Sequence, residues 1–153
     1  MNSPSPRDYS RLGFALAAVL LLVSLLLPAF RTEIRDSNVT LHHSGFECAR
    51  FALSYPFELN RQFHDWIYIS AFNVTNLALL ILPILAFTKR FGRFSPLLPW
   101  LVAACFLHTA SWWFGEKQHT QSGYYVWLLA VGVLFAACVA RVRSQKQPAE
   151  PIH

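Results

Sequence analysis

The chain has 153 residues, of which 54% are hydrophobic and 14% charged, with a net charge of +5. Soluble domains usually carry about a quarter charged residues, so this composition excludes an ordinary water-soluble domain, and the length suits one domain. The basic surplus does not call for nucleic acid, because a basic face beside anionic lipid accounts for it.

Four runs free of Asp, Glu, Lys and Arg hold most of the apolar residues: 12–30, 66–87, 95–114 and 122–140. At 1.5 Å per residue, about 17–25 residues cross a hydrocarbon core of about 30 Å. The expected fold class is an all-α integral membrane protein, a single domain of four transmembrane helices. The first run follows Arg7 and Arg11, as a signal peptide would, but it is long and ends in "LLPAFRTE" with no small-x-small cleavage site. It is read as an uncleaved helix. Gly13 and Ala17 lie on one face of it, with Ser24 seven positions further on a nearby face, and Pro28 sits near its end.

Segment 31–65 is expected to be a sizeable extracytoplasmic loop. Within it, "SNVTLHHSG" alternates Val39, Leu41 and His43, the pattern of a short extended piece. Ser44 followed by Glu47 is a capping box that opens a short amphipathic helix, and Pro56 ends it. Phe46, Ala49, Arg50, Leu53 and Phe57 recur at helical spacing, a side expected to lie on the membrane surface or on the ends of the spans.

The second and third runs are joined by "TKRFGRFSPLLPW". Gly92 can end one helix, and Ser95 with Pro96 can start the next, which predicts an antiparallel hairpin. The connection "GEKQHTQSG" is also short, so the fourth helix is expected beside the third. Segment 141–153 is read as a polar tail without order of its own. Trp66, Tyr68, Trp112, Trp113, Tyr124, Tyr125 and Trp127 gather at one level as an aromatic belt, with Phe87, Phe91, Phe94 and Trp100 at the other.

Basic residues orient the map. With both termini cytoplasmic, the inner segments carry Arg7, Arg11, Lys89, Arg90, Arg93, Arg141, Arg143 and Lys146 against Asp8 and Glu150. The outer segments carry Arg31, Arg35, Arg50, Arg61 and Lys117 against six acidic residues. The positive-inside rule favours this arrangement, in a bacterial inner membrane.

Polar residues inside the runs are the candidate site. Ser24, Asn73, Asn76 and His108 fall roughly 9–15 Å below the outer ends of three helices, with Ser70 and Ser111 above. They form either an interhelical hydrogen-bonding cluster or a ligand-binding layer centred on His108. Gly132, Ala136 and Ala140 make a small-xxx-small series that, with Gly13 and Ala17, is expected to pack helices closely.

No catalytic or metal-ligating residue is expected, and no cofactor. Cys48 is the one outer cysteine, so neither a disulfide-exchange pair nor an intrachain bridge is expected there. His108 is the one histidine within the runs, which excludes bis-histidine haem. His42, His43, His64 and Asp65 are weak metal candidates, because adjacent histidines on a strand point to opposite sides.

The leading expectation is a non-catalytic accessory or assembly subunit of a larger membrane complex, bioenergetic or of the envelope. Its partners would be the lipid bilayer and other membrane-protein subunits, with no nucleic acid. The alternatives are a protein binding a quinone or lipid in its polar layer, and an immunity protein against a toxin.

Overall fold

The computed structural model describes residues 6–34, 39–54, 63–88, 96–116 and 118–146. Gly92, Ser95, Pro56 and Phe57 lie outside them, as do the ends of both terminal segments. The described elements are α1 (Pro6–Leu26), β1 (Pro28–Ile34), β2 (Val39–Ser44), α2 (Gly45–Ser54), α3 (Phe63–Ala86), α4 (Leu98–Glu116) and α5 (Ser122–Lys146). The protein is mostly helical. Three helices, α1, α3 and α5, contain stretches long and apolar enough to cross a membrane.

The expected boundaries shift for identifiable reasons. The first helix was expected to reach Phe30 but stops at Leu26. Pro28 disfavours helical geometry at Leu27, and the chain leaves as a strand instead. At its start the same helix runs back to Pro6, because a proline in the first turn loses no intrahelical bond. Helix α5 continues through Lys146, so the first part of segment 141–153 is helix rather than unordered tail. Arg and Gln are good helix formers, and basic groups suit a helix C-terminus.

The all-α expectation also omitted a two-stranded sheet. β1 and β2 pair antiparallel, with Phe30 opposite His43, Arg31 opposite His42 and Thr32 opposite Leu41. The extended piece expected around Val39 is β2. Its partner was hidden at the end of the apolar run, although Phe30, Thr32 and Ile34 alternate there. The other edge of β1 takes the α4–α5 connection. Arg31 N–H donates to His119 O at 2.9 Å and Gln121 N–H to Ala29 O at 3.0 Å, on either side of a Phe30–Thr120 bridge. The loop after α1 and the loop before α5 thus form one cap.

Below the cap the helices make a bundle in which α1 packs on α5 and α3, and α4 packs on α3 and α5. The α1–α5 pairing is the most extensive, although these helices are farthest apart in sequence. They run antiparallel: Gly13 meets Ala137 near one end, and Ser24 meets Gly123 near the other. Buried positions on α1 are Ser10, Phe14, Ala17, Leu21 and Ser24. On α3 they include Thr75, Leu79, Leu82 and Ala86, and on α4 Val102, Cys105 and Thr109. These positions alternate by three and four, the spacing of left-handed helix packing.

The outward faces are apolar too. Leu12, Leu16, Val19 and Leu22 on α1, and Leu77, Leu80, Ile81 and Ile84 on α3, are all exposed. In water such a surface would be costly, whereas lipid solvates it. Hydropathy alone therefore cannot show which side of each helix faces inward.

Candidate functional site

Helix α2 begins where the cap meets the bundle. Ser44 N–H donates to Glu47 Oε2 at 2.7 Å, its hydroxyl donates to the same oxygen at 3.1 Å, and Glu47 N–H donates to Ser44 Oγ at 3.2 Å. This is the reciprocal capping box expected from the sequence. The next residue, Gly45, is pressed against the last turn of α1: its N–H donates to Leu27 O at 3.0 Å. A Cβ at Gly45 would collide with the Ser24 carbonyl, and one at Gly123 would come 2.9 Å from Leu27 O. The end of α1 is held between two glycines that open α2 and α5.

Small residues fill most of the side of α2 turned inward, with Phe51 at the edge of the space beneath it. Ala52 is buried and Cys48 and Ala49 are half-buried, while Phe46, Arg50 and Leu53 are exposed. The large residues of the expected apolar side, Phe46 and Leu53, therefore point away from the bundle. At its far end, Asn73 Nδ2 on α3 donates to Ala52 O at 2.8 Å. That carbonyl belongs to the last turn of a helix, where backbone acceptors have no intrahelical donor.

Between α2 and the bundle lies a cavity of about 360 Å³. Its roof is formed by Phe30 and Thr32 of β1 with Cys48, Ala49 and Ala52 of α2. The floor is Ser24 and Leu25 of α1, Ile69, Phe72 and Asn76 of α3, Trp112 of α4, and Tyr124 and Trp127 of α5. Phe72 stands 4.6 Å from Trp127 and 5.6 Å from Trp112, centroid to centroid. Such separations suit offset or tilted ring packing, and the rings build one aromatic wall.

The polar groups of the wall are mostly tied into the protein. Tyr124 OH donates to Thr109 O at 2.7 Å and Ser24 Oγ donates to Leu21 O at 2.7 Å. Thr32 Oγ1 and His43 Nε2 lie 3.1 Å apart. Trp127 Nε1 donates to Asn76 Oδ1 at 2.9 Å. Burial, and next the Glu47 carboxylate, push the Cys48 thiol up to about 11, so it is a neutral wall group at physiological pH. All three cysteines are free thiols. Among the described residues, no three His, Cys, Asp or Glu side chains gather in a metal-binding group.

The six residues of the expected polar layer divide. Ser24 and Asn76 line the cavity. Asn73 binds α2 and makes no hydrogen bond to His108. Ser111 Oγ donates to its own helix at His108 O, 2.6 Å away, as Thr75 does to Ala71 O and Thr109 to Cys105 O. Ser70 and His108 are half-buried and do not line the cavity. The small residues divide likewise. Ala17 is buried, Gly13 faces Ala137, and Gly132 faces the Phe106 ring. Ala136 is exposed and Ala140 half-buried.

Phe72 and the inward turn of Trp112, Tyr124 and Trp127 were not legible as a site. All but Phe72 belong to the expected belt, yet Tyr124 and Trp127 are only 6% exposed. Their spacing was the available signal, since Tyr124, Trp127, Val131 and Leu134 follow the same three-and-four rhythm as the buried stripe. Trp113 and Tyr125, one position on, are exposed as belt residues would be.

No protein-family model matches the chain, and neither a curated protein nor a solved structure matches it. The functional reading rests on the site.

Proposed function

We propose that this is a four-span protein of the bacterial inner membrane that binds a small, largely apolar molecule, of quinone or lipid type, beneath its capped end. The cavity carries this reading: its volume falls within the range of small-molecule sites, about 300–1,000 Å³, and aromatic and aliphatic side chains line most of it. In the proposed topology α4 is the fourth span. Its antiparallel contacts with α5, from Thr109 on Tyr124 to Phe106 near Gly132, support this. The cap faces the extracytoplasmic side and both termini are cytoplasmic, in keeping with the basic residues.

Extraction in mild detergent followed by mass spectrometry of the intact protein tests the reading. The expected result is a bound apolar molecule that is lost from Ala49→Phe, which fills the cavity from its roof. A wild-type protein that is empty, and that takes up no added quinone or lipid, refutes it. Cysteines placed at Ser37 and Ser144 test the topology, since only Ser37→Cys should react with an impermeant reagent in intact cells.

A second reading, an accessory subunit of a larger complex, is favoured by the outer side of α2. Phe46 and Leu53 flank Arg50 there and all three are exposed. A large apolar pair around a guanidinium suits a protein interface. Copurification of a stoichiometric partner, lost on Phe46→Ser with Leu53→Ser, is the result this reading expects.

A further inference from the structure

We propose that Asn76 reads the ligand: the cavity selects a neutral, mainly apolar molecule with a carbonyl oxygen, which accepts a hydrogen bond from Asn76 Nδ2. This deepens the binding reading and rests on it.

The orientation of the amide follows from chemistry. An indole N–H only donates, so the 2.9 Å contact with Trp127 Nε1 must be made by the oxygen of Asn76. The nitrogen is thereby turned to the other side, with both its N–H groups. It has no partner among the described residues, and Asn76 is one of the residues lining the cavity. Tyr124 and Ser24 already donate to backbone carbonyls, so their hydroxyl protons are committed. An unmet donor in apolar surroundings is unfavourable, and an incoming acceptor recovers that loss.

The remaining wall defines the rest of the molecule. Phe72 and Trp127 offer flat ring surface. Glu47 also borders the cavity, and its exposed carboxylate, bound by the Ser44 backbone N–H and hydroxyl, places negative charge at the rim, which disfavours an anionic ligand. A fatty acid carboxylate is therefore a poorer fit than a ketone or an ester. A ring ketone and a lipid ester share the required chemistry.

The test uses the full chain in detergent with three probes: a decyl-substituted benzoquinone, monoolein, and decylbenzene, which lacks an acceptor. Calorimetric titration is compared for wild type, Trp127→Phe, and Trp127→Phe combined with Asn76→Leu. The combined variant removes both hydrogen-bonding partners together, so that neither is stranded. The expected result is tighter binding of a carbonyl probe than of decylbenzene by wild type and Trp127→Phe. Adding Asn76→Leu then weakens the carbonyl probe roughly fivefold or more and leaves decylbenzene unchanged. Preference for the benzoquinone identifies a ring ketone, and preference for monoolein an ester.

Equal binding of all three probes, or equal losses on adding Asn76→Leu, overturns the role of Asn76 while leaving the cavity reading in place. Binding of none of them, or binding unaffected by Ala49→Phe, overturns the cavity reading and this inference with it.

Discussion

The side-chain amide of Asn73 donates to the backbone carbonyl of Ala52 across 2.8 Å, which fastens the C-terminal end of α2 to α3. A polar residue within an apolar helix here binds the backbone of a short helix outside the spans. It completes a helix end that covers the cavity.

Asn73→Leu should therefore loosen α2 rather than the bundle. The expected cost is about 1 kcal/mol, the usual net worth of such a hydrogen bond. Hydrogen exchange should quicken in α2 and stay unchanged in the buried half of α5. Uniform loss of protection across both helices would contradict the assignment. Because Asn73 and His108 share no hydrogen bond, Asn73→Leu and His108→Leu should add in thermal stability.

Glycine substitutions should separate by what each Cβ would meet. Gly45→Ala drives a methyl into the Ser24 carbonyl, and Gly13→Ala brings one 2.9 Å from Ala137 Cβ. Both should lower stability by about 1–3 kcal/mol, as overpacking does. Gly132→Ala meets only the edge of the Phe106 ring at 3.4 Å, so a helix-propensity gain of up to about 1 kcal/mol should hold or raise stability. Thermal unfolding in one detergent compares the three.

Cys48 should alkylate slowly at neutral pH, because only the thiolate reacts and its pKa is raised to about 11. The iodoacetamide rate should still be climbing above pH 9. Asn73→Leu should accelerate it by freeing the roof. A rate that levels off near neutrality would show that Cys48 is not held in the apolar wall.

Acid should loosen the start of α2. The Ser44 N–H, and next its hydroxyl, hold the Glu47 carboxyl below its ordinary 4.5. A carboxylate with a lowered folded pKa stabilises the fold fully above its unfolded value, and that contribution fades as pH falls through the folded one. Exchange at the Glu47 amide should therefore quicken relative to α5 as pH falls below the ordinary 4.5. Glu47→Gln should remove the pH dependence.

The sequence by itself determined the solvent of this protein and the local structure of its cap. Long uncharged runs set where helices form, Ser44 and Glu47 set where α2 starts, and alternation at Val39, Leu41 and His43 marked β2. These are consequences of backbone geometry and near-neighbour hydrogen bonds, which a local reading captures. Facing was not so determined. In lipid both sides of a helix are apolar, so hydropathy could not distinguish Trp127, buried against Asn76, from Tyr125, exposed two positions earlier. Nor could local pattern show that Phe30 pairs with Thr120, or that Gly45 and Gly123 close on the same turn of α1. Those contacts join residues far apart in the chain, and they exist only because α1 packs against α5. That packing leaves the space beneath α2 and turns Asn76 toward it.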